Sequence, residues 1–390
     1  MSEVTRNLYM GKSGIGIMEA RTQFGYRSSL SGILPKPDIK NQLERRLRIG
    51  LSQESEFAYC SAVEAFKNAG IDSDFIKNNE IGIIYGNDSS AQALIESYKI
   101  AEEKHDTSMV GSGAVFKSMN STVSMNLSTI FNLRGINFSI SAACASGSHS
   151  IGTAFDLIRN RRQNIILCGG AQEVDLYSVI NFDALGIFSK SENNPQKASR
   201  PFDKNRDGLV PSGGAASLIL ESAESAKKRG AKIYAEIVGY GFSSSGSKKI
   251  TELSAQSGAA AIIRALSDAE LKTNDIDYIN AHATSTPEGD KSEAMSILNV
   301  FENKQPLISS TKSMTGHECW MAGASEIIYS LIMMNNDFAA PNINFDDPDE
   351  TTKRLNIVKE TKNTNIDCVL SDSFGFGGTN ACLIIKKFKE

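Results

Sequence analysis

Short apolar runs that end in glycine alternate with helix-like segments along almost all of this chain, and that alternation leaves few folds open. Ile81-Gly82-Ile83-Ile84-Tyr85-Gly86 and Asn164-Ile165-Ile166-Leu167-Cys168-Gly169-Gly170 are continuous apolar runs of strand length, the pattern of strands covered on both faces. Residues 215–221 and 233–242 read as further strands, and 368–371 with 381–385 as a hairpin around a glycine-rich turn. Helices are expected over 43–68, 258–268, 291–301 and 322–334. Strands separated by helices indicate an α/β protein. Lys227-Lys228-Arg229-Gly230 has the cations and glycine of a helix C-terminus, dividing the 390 residues into expected halves of 1–230 and 231–390. Both halves show the same alternation, although their sequences do not visibly repeat. No long linker separates them, so tight packing is expected.

Composition narrows the function. A net charge of −4 and the lack of a basic-aromatic array argue against nucleic-acid binding. No apolar run reaches the roughly 18–20 residues that span a membrane, and the first 14 residues carry scattered charges with no secretory core. Six cysteines (60, 144, 168, 319, 368 and 382) lie far apart without a CxxC pair, which points to reduced thiols in a cytoplasmic protein.

Cys144 is the strongest candidate nucleophile. It stands between the alternating strand Ile136-Asn137-Phe138-Ser139-Ile140-Ser141 and a helix opening at Ser146, whose apolar face is Ile151, Ala154, Phe155 and Ile158. A thiol there meets free N–H groups and the positive end of a helix dipole, which favour the thiolate and predict a lowered pKa. Ala142, Ala143, Ala145, Ser146 and Gly147 leave room for an acyl group. The plain alternative is a buried structural cysteine.

Two of the four histidines follow strand-like runs: His282 after Tyr278-Ile279, and His317 after Leu307-Ile308-Ser309-Ser310. Loops at strand ends are where α/β proteins place catalytic groups. Together with Cys144 they favour catalysis over three isolated structural side chains. A zinc site built from them would lack the short ligand spacings of known sites, so no metal is expected. His149, on the helix after Cys144, reads as a packing residue.

Cys144, His282 and His317 together resemble the β-ketoacyl-[acyl carrier protein] synthases. The resemblance runs from about Gly14 to the C-terminus. It is carried by Ala143-Cys144-Ala145-Ser146, by Arg200-Pro201-Phe202-Asp203 with Arg206-Asp207-Gly208, and by His282-Ala283-Thr284-Ser285-Thr286-Pro287-Glu288-Gly289-Asp290. Lys312-Ser313-Met314-Thr315-Gly316-His317 and Ser373-Phe374-Gly375-Phe376-Gly377-Gly378-Thr379-Asn380 complete it. A Cys-His-His set is similar to the elongating type I/II branch, and residues 231–241 look closest to type I.

The resemblance implies a thiolase-like fold, with two related α/β halves layered α-β-α-β-α. It implies a homodimer, with a heterodimer open, and acyl carrier protein as partner. Its implied reaction is decarboxylative condensation of an acyl-enzyme with malonyl-carrier in fatty acid elongation. Substrates arrive on phosphopantetheine and no cofactor is needed. Cys144, His282 and His317 are its catalytic residues, and the backbone N–H groups of Cys144 and Phe376 its oxyanion hole. Lys312, Asp290 and Glu293 support the histidines, Thr284 and Thr286 bind pantetheine, and Gly375, Phe376 and Gly377 form a gate. Arg45, Arg46 and Arg48 are expected to dock the acidic carrier.

Two departures stand out. His317-Glu318-Cys319-Trp320-Met321-Ala322-Gly323 places the only tryptophan where the family has a glycine, so Trp320 is expected to narrow the acyl pocket or give it a flat wall. Ala283 replaces a glycine more mildly. The chain opens close to the family's first helix without the preceding strand, and the expectation is a start upstream of Met1. Open alternatives are a ketosynthase of a specialised pathway (aryl polyene or polyketide), a non-condensing partner subunit, and a thiolase or other acyltransferase. A thiolase needs a second catalytic cysteine, for which Cys368 and Cys382 are near the right place but in strand-like segments.

Overall fold

The computed structural model describes residues 2–251, 253–302 and 304–389. One sheet holds β1 (Ile81–Gly86), β2 (Asn137–Ile140), β3 (Ile165–Gln172) and β4 (Gly214–Glu221) in the order β2-β1-β3-β4, with β4 antiparallel. A second holds β5 (Glu236–Ser244), β6 (Tyr278–Asn280), β7 (Leu307–Ser309), β8 (Cys368–Phe374) and β9 (Thr379–Lys386) in the order β5-β9-β8-β6-β7. There β8 and β9 form the expected hairpin, while β6 lies parallel to both β8 and β7.

Six helices complete the layers: α1 (Gln53–Ala69), α2 (Thr122–Phe131), α3 (Ser146–Arg159), α4 (Ala255–Asp268), α5 (Pro287–Val300) and α6 (Ala322–Asn335). Strand periodicity sorts the core among them. Ile84 and Ile166 of the first sheet and Val369 and Leu383 of the second face inward onto Ile151 of α3 and Ile327 of α6. The alternate residues Ile83, Tyr85 and Leu167 face α1 and α2, and Leu370 and Ile384 face α4 and α5. The order is therefore helices, sheet, central helices, sheet, helices. At the end of β1, a Cβ on Gly86 would lie 2.5 Å from the Ser146 carbonyl carbon, so glycine lets α3 start directly against the sheet.

Several expected elements differ, among them the helix expected at 258–268, which opens at Ala255. Residues 43–68 do not form one helix: Arg45–Arg48 is a separate turn, and α1 starts after Ser52, whose side chain caps Ser55 N–H. The strand expected at 233–242 lies at Glu236–Ser244. Helix α5 opens four residues before the expected 291, at Pro287, where proline is preorganised for a first helical position. Among the described residues no helix is long and apolar enough to cross a membrane.

Candidate active site

The loop between β2 and α3 presents Cys144. Ala142 N–H donates to Ser146 Oγ at 2.8 Å, Ser146 Oγ donates to the Ala143 carbonyl at 2.7 Å, and Ala145 N–H donates to the Ala142 carbonyl at 3.1 Å. Ala143 adopts φ +46°, a left-handed conformation for a residue with a Cβ. His317 reaches the sulfur from the loop before α6, held by Val210 on one side and Ser212 on the other. Its Nε2 lies 3.1 Å from Cys144 Sγ. His282 follows β6, its backbone N–H donating to Asp372 Oδ1 at 2.9 Å, and its ring stands at 5.3 Å and 89° to that of His317.

The backbone N–H groups of Cys144 and Phe376 lie near enough to the Cys144 sulfur to favour its thiolate. They do not produce the lowered pKa that the helix terminus suggested. Burial pushes the thiol up to about 12, with Asp88 adding to the rise, against the opposing pull of Lys312 and the two N–H groups. The helix dipole acts over water-accessible distances, whereas desolvation acts on the charge itself, and here it is larger. Burial, with Lys312 behind it, also holds both imidazoles well below their usual range, so both are neutral at physiological pH. Neither Nδ1 has a hydrogen-bond partner among the described residues.

Lys312 is fully buried and ion-paired with Glu326, which sequence reasoning did not single out. Glu326 is the only charged residue of α6, and a lone acid in an apolar helix was the available signal. Asp372 was missed in the same way, as the lone charge of β8. Glu293 lies beside it, and burial next to that carboxylate pushes Glu293 well above the usual range. Asp290 accepts from the Phe202 N–H at 2.8 Å and lies 3.9 Å from Arg206. Burial raises it to about 6. The Arg200–Gly208 motif is thus a frame for the histidine loop: Arg206 donates to the Thr286 and Pro287 carbonyls, and Gly208 N–H to that of Ser285.

A cleft of about 800 Å³, open mouth included, runs to Cys144. Thr284 and Thr286 line one part, bonded to each other at 3.0 Å, while Val179, Phe182, Phe188 and Leu209 make an apolar part. Phe376 also lines the cleft and stacks on Phe182 at 6.3 Å. Gly377 beside it has φ +78° and open space around it. Trp320 is not a wall of the cleft. It lies behind Phe182 at 6.0 Å, its indole N–H donating to Ser89 Oγ at 3.3 Å. Cys368 and Cys382 sit in paired strands away from the cleft, and the second cleft cysteine is Cys319, whose thiol burial also keeps protonated. His149 bonds Tyr240 and Thr379, a packing role. Arg45 and Arg46 are exposed on their short helix, Arg46 paired with Glu44, while Arg48 bonds the Leu43 carbonyl.

Cys144 Sγ and a ring nitrogen of each histidine lie within 4.8 Å of one another, so these three could reach one metal ion. The field of Lys312 that disfavours protons on the imidazoles also disfavours a cation among them.

A buried cysteine with two neutral imidazoles and two converging N–H groups is the donor set of a cysteine acyltransferase. The chain belongs to the β-ketoacyl synthase family: the N-terminal domain of that family matches residues 2–226 and the C-terminal domain residues 234–346. It is 42% identical over 389 residues to 3-oxoacyl-[acyl-carrier-protein] synthase 1 of Haemophilus influenzae, covering 99% of this chain and 95% of the relative. Identity to the Escherichia coli K12 enzyme of the same name is 40% over 391 residues, 100% of this chain and 95% of the relative. A β-ketoacyl synthase from Burkholderia phymatum superposes with a TM-score of 0.93 at 33% identity, over 100% of this chain and 95% of that one. A ketosynthase bound to its type II PKS acyl-carrier protein and a hexaketide gives 0.89 at 29%, over 100% and 95%.

Proposed function

We infer that this chain is an elongating 3-oxoacyl-[acyl carrier protein] synthase of fatty acid synthesis. The observation that carries the reading is His317 Nε2 at 3.1 Å from Cys144 Sγ, beside N–H groups of Cys144 and Phe376 near enough to favour the thiolate. Cys144 attacks the acyl-carrier thioester, and its proton passes through His317 to the departing carrier thiol. The two N–H groups hold the tetrahedral oxyanion. Malonyl-carrier then loses CO₂, and the enolate oxygen accepts from the neutral imidazoles of His282 and His317. The enolate carbon attacks the acyl-Cys144 carbonyl and expels the Cys144 thiolate, which takes up one proton from water, giving 3-oxoacyl-carrier. Each step would use side chains and backbone N–H groups of this chain, without a resident cofactor.

Thr284 and Thr286 would bind the pantetheine arm, and Phe376, between Gly375 and the left-handed Gly377, would swing as the gate. Arg45, Arg46 and Arg48 would dock an acidic carrier in the cytoplasm. Arg45→Glu with Arg46→Glu is expected to raise KM for acyl-carrier about tenfold with kcat unchanged, since rim charges act chiefly on encounter; an unaltered KM would remove them from the interface. The homodimer is supported by the open edge of β2, where Phe138 is exposed. Leu94, Tyr98, Val115 and Phe116 are exposed on two helices (91–104 and 114–118) that pack on each other, the second also touching α2, which packs on β2.

The test is condensation with an acyl-carrier panel and malonyl-carrier, read by mass spectrometry. Expected are 3-oxoacyl products and an acyl adduct on Cys144, both lost in Cys144→Ala. An adduct without condensation would replace the synthase reading by a simple acyltransferase.

A further inference from the structure

We propose that Asp88 is a positioning residue for the nucleophile, holding the strained turn that presents Cys144; the proposal rests on the acylation of Cys144 inferred above. Ala143, directly before Cys144, stands at φ +46°. A residue with a Cβ keeps that conformation only where its surroundings impose it. The one bond to its N–H comes from outside the turn, from Asp88 Oδ2 at 3.1 Å.

Asp88 is itself bracketed. Its carbonyl accepts from Asn120 Nδ2 at 3.0 Å. On one side the Asn87 carbonyl accepts from Ser141 Oγ at 2.9 Å, and on the other Ser89 Oγ accepts from Trp320 at 3.3 Å. Ser90 Oγ donates to the buried Glu54 at 2.5 Å. Residues 87–90 therefore tie the start of the nucleophile turn to the segment that follows His317, and Asp88 is the member that reaches the strained residue.

A carboxylate is a costly choice for this task. The groups facing Cys144 are Lys312 with its partner Glu326, the imidazoles of His282 and His317, the Cys319 thiol, and Asp88; of these Asp88 opposes loss of the thiol proton. Its position is explained by the bond to Ala143 and not by its charge, and the two effects separate by mutation.

Asp88→Asn keeps an acceptor and removes the charge. Acylation of Cys144 is expected to stay within about threefold of the parent, while its iodoacetamide alkylation becomes faster at every fixed pH between 6 and 10. Asp88→Ala removes the bond, lets Ala143 relax and displaces the sulfur, with acylation expected to fall about tenfold or more. Adding Ala143→Gly to Asp88→Ala is expected to restore most of that loss, because glycine takes positive φ without strain. Rescue by a backbone change is a readout that general destabilisation would not give.

The experiment uses the full chain, single-turnover acylation followed by mass spectrometry, and alkylation between pH 6 and 10 as a substrate-free readout. A parent alkylated at Cys144 but acylated by no carrier would overturn the synthase reading, and alkylation would still test Asp88. Parental acylation in Asp88→Ala, or a loss that Ala143→Gly does not restore, overturns the proposal. If Asp88→Ala does not fold, the double variant decides: folding with acylation supports the role of Asp88, and failure of either refutes it.

Discussion

The two central helices meet at glycine, and that contact sets how far Cys144 stands from His317. Gly323, second residue of α6, faces Ser148 of α3 so closely that an added Cβ would lie 1.9 Å from Ser148 Oγ, 2.8 Å from Ser373 Oγ and 2.9 Å from the Ser148 nitrogen. Gly323→Ala therefore cannot be absorbed by rotating Ser148 alone. Rotation gives up the Ser148–Ser373 hydrogen bond of 2.8 Å and still leaves a backbone atom several tenths of an ångström too close. Overpacking of this kind costs about 1–3 kcal/mol, and the hydroxyl bond about 1 kcal/mol more. At an unfolding entropy of about 2 cal/mol/K per residue, that total lowers Tm by roughly 3–5 °C for a chain of this length. The helices carry Cys144 and His317 just before their first turns, so the 3.1 Å contact opens as they separate. Since a misplacement of about 1 Å costs about a hundredfold, a shift of a few tenths should slow acylation about tenfold. Scanning calorimetry and single-turnover acylation measure the two effects. Adding Ser148→Ala should recover part of both. A Gly323→Ala protein with parental Tm and parental acylation rate would refute the reasoning.

Two further outcomes follow from the buried charges. With both imidazoles held well below their usual range, protonation begins only at acid pH, so kcat/KM should stay level from pH 8 to below pH 6; an acid limb centred near pH 6.5 would contradict that environment. Lys312→Met strands Glu326 and should cost about 3–5 kcal/mol in denaturant unfolding, much of it recovered by adding Glu326→Leu, because an unpaired buried charge is dearer than an apolar pair. Removing that cation also lets the histidines protonate more easily, so the acid limb should move towards neutrality; a fixed limb would mean Lys312 lies outside their field.

The fold was legible wherever one periodicity decided an element. The all-apolar run at 81–86 could only be a covered strand, and the apolar stripe after Ser146 only a packed helix. Legibility failed at 43–68, where helical spacing masked the stop signals Gly50 and Ser52. The motifs singled out Cys144, His282 and His317, which the structure brings together. Pairings across the fold were hidden: Glu326 could be noticed as a lone acid, but nothing local said that Lys312 would meet it, or that Asp88 would reach Ala143 from 55 positions away. The thiol's rise to about 12 was hidden too, since burial is a property of the packed protein while the helix dipole can be read from a strand-helix boundary.

Trp320 shows what separates a correct signal from a correct placement. Its size and rarity marked a departure near the nucleophile, and it does pack in one apolar cluster with Cys144 and Cys319. Yet its ring acts one layer back, against Phe182, which lines the cleft and stacks on Phe376. Trp320→Gly should therefore change acyl selection through Phe182: the phenyl ring settles into the vacated space, and the apolar part of the cleft deepens. The preference for longer over shorter acyl-carriers, as a ratio of kcat/KM values, should rise about tenfold, the scale on which apolar pockets discriminate methylenes. Removing so large a buried ring also costs about 3–5 kcal/mol, so the milder Trp320→Leu should be run beside it, with a smaller shift in the same direction. A folded variant with the parental chain profile would mean that Phe182 holds its place without the indole, and that Trp320 serves the loop at Ser89 alone.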